Sequence, residues 1–257
     1  MSDTPQAGRK DGDRAIRFAS VSKSFGPRAV LKNVSFSVAA GATFVLLGRS
    51  GTGKSVTLKL ICGLLKPDSG SVIVSGKDIT TLQGNDLAST RKRMGFLFQS
   101  AALFDSISVG ENVAFPLRRH TRKTGAEIRG QAQGILEKLG LGNEYDSMPS
   151  DLSGGMQKRA GLARALAMEP SLLLVDEPSA GLDPITSTEI DELLIDIKTN
   201  RHATLVVVTH NIESARRMAD RMAFLDDGQL LAEGTVDELE HSEHRLVRAF
   251  MKSRQGG

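Results

Sequence analysis

The sequence predicts an α/β fold: a mostly parallel sheet covered on both faces, an antiparallel β subdomain and a helical lobe. Three observations carry this. Short continuous apolar runs at Ala42–Leu47, Leu172–Val175, Leu205–Val208 and Met222–Leu225 read as strands buried on both faces. The later runs are separated by helical stretches at 186–199 and 211–219, an alternation that implies parallel pairing. A glycine loop, Gly48-Arg49-Ser50-Gly51-Thr52-Gly53-Lys54-Ser55, joins the first run to a helix starting at Val56.

The elements follow in chain order. Residues 1–13 are polar and charged and read as a disordered tail, not a signal peptide. A domain is expected over 14–241. Within it, Arg17-Phe18-Ala19 and Leu31–Val38 alternate as antiparallel strands do. Gly70–Gly76 is a further strand, and Met94–Phe98 a short buried one. From about Val109 to Met168 the pattern turns helical, which places an inserted lobe at about 100–168. Residues 242–257 form a basic, amphipathic C-terminal tail.

Composition narrows the function classes. With 257 residues, 40% hydrophobic and 25% charged, the chain is an ordinary globular protein able to bury a large core. A net charge of +3 is too small to argue for nucleic acid, and no basic block interleaves with aromatics. The single cysteine, Cys62, excludes an intrachain disulfide and reads as core packing. No apolar run approaches the ~18–20 residues that span a bilayer. The expectation is a cytoplasmic protein that reaches a membrane only through a partner.

The glycine loop fits G-x-x-x-x-G-K-[ST], the phosphate-binding P-loop. Its glycines let backbone N–H groups face phosphate oxygens, and the helix N-terminus adds its positive dipole end. Lys54 is placed to reach the β- and γ-phosphates of a bound nucleotide, and Ser55 to ligate Mg²⁺. Leu172-Leu173-Leu174-Val175-Asp176-Glu177 describes a buried strand that delivers acids at its C-terminal edge, where open α/β sheets bind ligands. Asp176 is expected to hold Mg²⁺, and Glu177 to polarise the attacking water. Alone, an acid ending a strand is weak; beside a P-loop it is strong.

Leu152-Ser153-Gly154-Gly155-Met156-Gln157 opens a good helix sequence. By itself it is an N-cap and turn. Together with the P-loop upstream and Asp176 downstream, it makes the chain resemble the ATP-binding cassette (ABC) ATPases over residues 16–240. That resemblance implies an ABC ATPase nucleotide-binding domain. It further implies that Gln99 contacts Mg²⁺ and the attacking water, that His210 touches the γ-phosphate, and that Phe25 stacks on adenine. Ser153, Gly154, Gly155, Met156, Gln157 and Asp183 would contact ATP held by a second copy of the chain. Met156 departs from the glutamine common at its position, and Ala180-Gly181 from the usual Ser-Ala.

The wording after Gln99, with Asp183-Pro184-Ile185-Thr186, is most similar to the ATPases of Mla/Mce-type lipid transporters. The resemblance implies an integral membrane permease, an MCE-domain lipid-binding protein, a possible small regulatory subunit, no nucleic acid, and a place on the cytoplasmic face of the inner membrane. Leu103, Phe104, Val113 and Phe115 would line the groove that receives the permease. An importer ATPase for amino acids or another polar solute would share this core. A soluble ABC ATPase acting on nucleic acid or the ribosome fits less well, because there is one cassette and no long heptad run. A small-molecule kinase has no use for a phosphate cap supplied in trans.

Overall fold

A computed structural model describes residues 14–253; the tail assigned to 1–13 lies outside them, as do residues 254–257. The chain runs β1 (Arg14–Phe25), β2 (Arg28–Ala39), β3 (Thr43–Leu47), α1 (Lys54–Ile61), β4 (Ser69–Val74), β5 (Lys77–Asp78), α2 (Gly84–Arg91) and β6 (Met94–Leu97). Then come α3 (Val109–His120), α4 (Gly125–Lys138), α5 (Gly154–Leu166), β7 (Leu172–Asp176), α6 (Pro184–Arg201), β8 (Thr204–Thr209) and α7 (Ile212–Met218). It closes with β9 (Arg221–Asp226), β10 (Gln229–Gly234), α8 (Val236–Glu240) and α9 (Arg245–Lys252).

Two sheets form. The larger is ordered β10-β9-β3-β8-β7-β6, parallel except where β10 pairs antiparallel with β9. The smaller is antiparallel, ordered β2-β1-β4-β5. Every residue of β3, β7 and β8 is buried. Successive side chains point to opposite faces. Val45, Leu47, Leu173, Val175, Leu205 and Val207 therefore enter one core, and Phe44, Leu46, Leu172, Leu174, Val206 and Val208 the other. Two-sided burial is why these strands read as unbroken apolar runs. The second core also joins the two sheets: Phe36 stacks on Phe18 at 4.9 Å and on Phe44 at 5.0 Å between ring centroids.

The helical stretch from Val109 resolves into α3, α4 and α5. Ser108 caps α3, and Thr124 with Glu127 forms a capping box on α4. Asn112 is fully buried, yet its amide donates to the carbonyls of Phe104, Ile107 and Ser108 and accepts from Phe104 N–H, so it pins the loop before α3. Val113, expected in a permease-facing groove, is instead buried in the core. It lies four residues from both Val109 and Leu117 on the inward stripe of α3, while Phe115 points out. Phe104 and Phe115 remain exposed, their rings 5.0 Å apart.

The elements α2, β5, β10 and α8 carry no sequence expectation. The helix α2 is polar with only Thr90 buried, and β10 is a half-exposed edge strand. At the C-terminus, α9 buries Val247 and Met251, and Phe250 meets Phe224 edge-on at 4.8 Å.

Candidate functional site

The loop between β3 and α1 is held by its own side chains. Arg49 reaches Asp226 at the end of β9 through contacts of 3.0–3.2 Å, and Thr52 Oγ1 donates to Arg49 O at 2.9 Å. Gly53, the residue before α1, has φ +107°, and a Cβ there would stand 2.8 Å from Leu31 Cδ2 and 3.0 Å from Val30 O. Only glycine lets the chain turn into the helix at this point. Lys54 follows, 5% exposed, and its ammonium donates to the carbonyls of Gly48 (2.8 Å) and Arg49 (3.0 Å). The lysine is thereby folded back over the loop, with its charge at the loop's mouth.

The C-terminal edge of β7 delivers two acids. Asp176 accepts from Ser55 Oγ at 2.9 Å. Burial pushes its carboxyl above the usual carboxylate range, against the opposing Ser55 hydrogen bond. A hydroxyl beside a carboxylate is a hard-oxygen pair suited to a small divalent cation that completes its shell with water and phosphate oxygens. Among the described residues, no group of three or more His, Cys, Asp or Glu is placed to hold a metal ion. A cation at Ser55 and Asp176 would accordingly depend on the nucleotide for further ligands.

Glu177 is buried, with a left-handed backbone at φ +47°. Its N–H donates to Val208 O at 2.9 Å on the neighbouring strand β8. One carboxylate oxygen, Oε1, lies 3.4 Å from Lys54 Nζ. The other, Oε2, meets Thr209 Oγ1 at 3.1 Å, the His210 N–H at 3.2 Å and His210 Nδ1 at 2.9 Å. The end of β8 therefore aims this carboxylate, and the carboxylate in turn orients the His210 ring.

These groups converge. A cavity of about 350 Å³ is lined by Phe25, Arg28, Ser50, Gly51, Gly53, Lys54, Ser55, Gln99, Glu177 and His210, among others. Phe25, at the end of β1, is 47% exposed, so one ring face is free for a planar ligand. Gln99 is exposed just after β6. The cavity gathers Phe25, loop residues from Ser50 to Ser55, Gln99, Glu177 and His210 from five separate parts of the sequence.

The second group of expected residues lies elsewhere. None of Ser153, Gly154, Gly155, Met156, Gln157 or Asp183 is among the described residues lining this cavity. Ser153 caps α5, accepting from Met156 N–H at 3.3 Å, and is exposed together with Gly154. Gln157 turns its amide onto the carbonyls of Pro149 (3.1 Å) and Leu152 (3.2 Å). Asp183 caps α6 through Ile185 N–H, Thr186 N–H and Thr186 Oγ1, and these hydrogen bonds lower its carboxyl below the usual range.

Three residues of the site escape sequence reasoning. Thr209 and Arg28 carry no motif of their own. Lys158 does leave a trace: it shares the buried stripe of α5 with Gly155 and Leu162, where a cation is out of place. Its ammonium donates to the backbone carbonyls of Gln99 and Glu177.

A P-loop, a paired Ser55 and Asp176, and an acid followed across the sheet by a histidine match one family. The ABC transporter family model covers residues 31–180. This chain belongs to the ABC transporter family. It is an ATP-binding subunit, and its ATP hydrolysis is coupled to transport. The probable ribonucleotide transport ATP-binding protein Mkl of Mycobacterium leprae is 42% identical over 250 residues, spanning 97% of this chain and 72% of that protein. The intermembrane phospholipid transport system ATP-binding protein MlaF of Haemophilus influenzae is 41% identical over 232 residues, 90% of this chain and 88% of its own length. Among solved structures, the ATP-binding cassette MJ0796, a dimeric post-hydrolysis state bound to ADP and Pi, superposes with a TM-score of 0.80. It shares 34% identity and covers 86% of this chain and 98% of its own. Among the described residues no helix is long and apolar enough to cross a membrane.

Proposed function

We propose that this ABC ATPase powers phospholipid transport across a cell envelope, and that it works as a homodimer with two ATP molecules between its halves. The observation that carries the catalytic part is the convergence of Lys54, Ser55, Glu177 and His210 on one cavity, with Asp176 hydrogen-bonded to Ser55. ATP would lie with adenine against Phe25 and its phosphates over residues 48–55. Ser55 and Asp176 would hold Mg²⁺, with Gln99 nearby. When bound, the ion neutralises charge on the phosphate oxygens.

The chain's own groups do the rest. Lys54 draws the γ-phosphate into the loop. Glu177 accepts a proton from the attacking water, and His210, oriented by the same carboxylate, faces the γ-phosphate. Ser153 and Gly154 stand exposed at the N-terminus of α5 but away from the chain's own cavity. A two-fold dimer would give them a use, because an isologous interface sets each α5 terminus against the partner's nucleotide. Gly155, Met156, Gln157 and Asp183 flank that contact. Loss of the γ-phosphate then removes a bridge, and the dimer opens.

The lipid assignment rests on similarity to MlaF and on the wording of the loop after Gln99. In this reading a permease docks on the exposed Phe104 and Phe115, an MCE-domain protein carries the lipid, and a small regulatory subunit completes the complex. The ATPase sits on the cytoplasmic face of the inner membrane. Similarity to Mkl favours a second reading, a polar nucleotide as cargo. The test is to purify a tagged copy from detergent-solubilised membranes and identify the co-purifying proteins and lipids by mass spectrometry. Recovery of a permease with an MCE-domain protein and phospholipid supports the proposal. Recovery of a permease with a soluble solute-binding protein, or of ribosomes or DNA, overturns it.

A further inference from the structure

The helix α5 does more than start at Ser153. Along one side it grips the catalytic loops at three successive levels. Lys158, 6% exposed, donates to Glu177 O at 3.1 Å and to Gln99 O. Gly161 lies so close to the segment after β6 that an added Cβ would stand 3.0 Å from both Ala101 Cβ and Leu97 Cδ1. Arg164 donates to the carbonyls of Ala101 (2.9 Å) and Ala102 (2.7 Å), both with left-handed backbones at φ +59° and +50°. A rigid helix thus spans from the exposed Ser153 terminus to the loops that carry Gln99 and Glu177.

The backbone of Glu177 gives this grip its purpose. A non-glycine residue at φ +47° persists only where its surroundings hold it there. Three bonds do so: its N–H is fixed on Val208 O, and its carbonyl accepts from the Ala180 N–H at 3.2 Å and from the Lys158 ammonium at 3.1 Å. A hydrogen bond from a charged donor is stronger than a neutral one, and more so away from water. The same ammonium also holds the carbonyl of Gln99.

We propose that Lys158 is a positioning residue for hydrolysis: it fixes the backbones of Glu177 and Gln99 to α5, so that docking of the α5 terminus sets the aim of both. The lysine touches no substrate. It links the end of α5 that faces the partner's nucleotide to the catalytic groups of its own site. The proposal rests on the role given above to Glu177.

Two substitutions separate donation from packing. Lys158→Gln keeps two N–H donors; Lys158→Met keeps length and apolar bulk but donates nothing. Phosphate release by the full-length protein is measured against ATP concentration, with thermal melts and Glu177→Gln as reference. The expected result is a fall of about tenfold or more in kcat for Lys158→Met, the order at which a misaimed general base registers. The KM should stay within about twofold and the melting temperature near wild type, with at least a third of kcat retained in Lys158→Gln. Wild-type kcat in Lys158→Met beside an inactive Glu177→Gln overturns the coupling and leaves the ATPase reading intact. Equal losses in both Lys158 variants, with a lowered melting temperature or raised KM, show packing alone and overturn it too. An active Glu177→Gln overturns the catalytic reading itself.

Discussion

Replacing Glu177 by glutamine removes a charge and a base while keeping the shape. The wild-type carboxylate divides its work between two oxygens. Oε2 serves Thr209 and His210 at 2.9–3.2 Å, and Oε1 faces Lys54 at 3.4 Å. The glutamine carbonyl can occupy the Oε2 place and keep those donors satisfied. Its NH₂ then replaces Oε1, so the Lys54 ammonium loses an opposite charge and stays free for the γ-phosphate. Packing is unchanged and ATP affinity should remain within a few-fold. What disappears is the group proposed to accept the water's proton, a role worth about 100- to 10,000-fold in rate. At 1.36 kcal/mol per decade this is about 3–5 kcal/mol of barrier. The assay is phosphate release at saturating ATP, with nucleotide affinity from a fluorescence titration and assembly state from light scattering. Lost turnover, intact affinity and an ATP-stabilised dimer are expected. Turnover within about threefold of wild type would refute the role of Glu177 and the catalytic scheme built on it.

Three other perturbations test separate parts of the site. Lys54→Ala deletes charge-assisted contacts worth about 1.5–3 kcal/mol, so ATP affinity should fall about 10- to 100-fold by equilibrium titration while the fold survives. Gly53→Ala forces a side chain into positive φ against Leu31 and Val30; it should cost about 1–3 kcal/mol, read as a lowered melting temperature and weakened ATP binding. Glu233, on β10, has its carboxyl raised by burial, which outweighs the nearby Arg221. The folded state therefore keeps that proton to higher pH than the unfolded chain does, and loses stability as pH rises through the raised range. Glu233→Gln should melt higher than wild type at neutral pH, and the gain should shrink as the pH is lowered through the carboxylate range. A gain that grows on acidification would contradict the sign.

How far the sequence speaks depends on what each residue's neighbours are. The strands β3, β7, β8 and β9 are legible because burial on two faces makes their central positions apolar, with polar residues only at their ends. The ends of β3 and β7 are legible because the phosphate and cation chemistry proposed for them restricts the residue types there. By contrast, α2 is mostly solvent-facing and β10 sits at an edge, so neither carries a strong period. Val113 shows a different limit: an apolar residue in a candidate groove looks the same as one in the core until its helix is rotated into place. Thr209 and Lys158 act through residues far off in sequence, Glu177 in both cases and Gln99 in the second. Such partnerships are set by sheet order, which pairs β7 with β8, and by the packing of α5, rather than by any local spacing.

The proposed function requires that ATP hydrolysis at this site moves phospholipid. The complex purified with this chain can be reconstituted in liposomes and the transfer of a labelled phospholipid followed before and after ATP. ATP-dependent transfer is expected with the wild-type chain and none with Glu177→Gln. ATP hydrolysis without lipid transfer, or ATP-driven movement of a ribonucleotide instead, would contradict it.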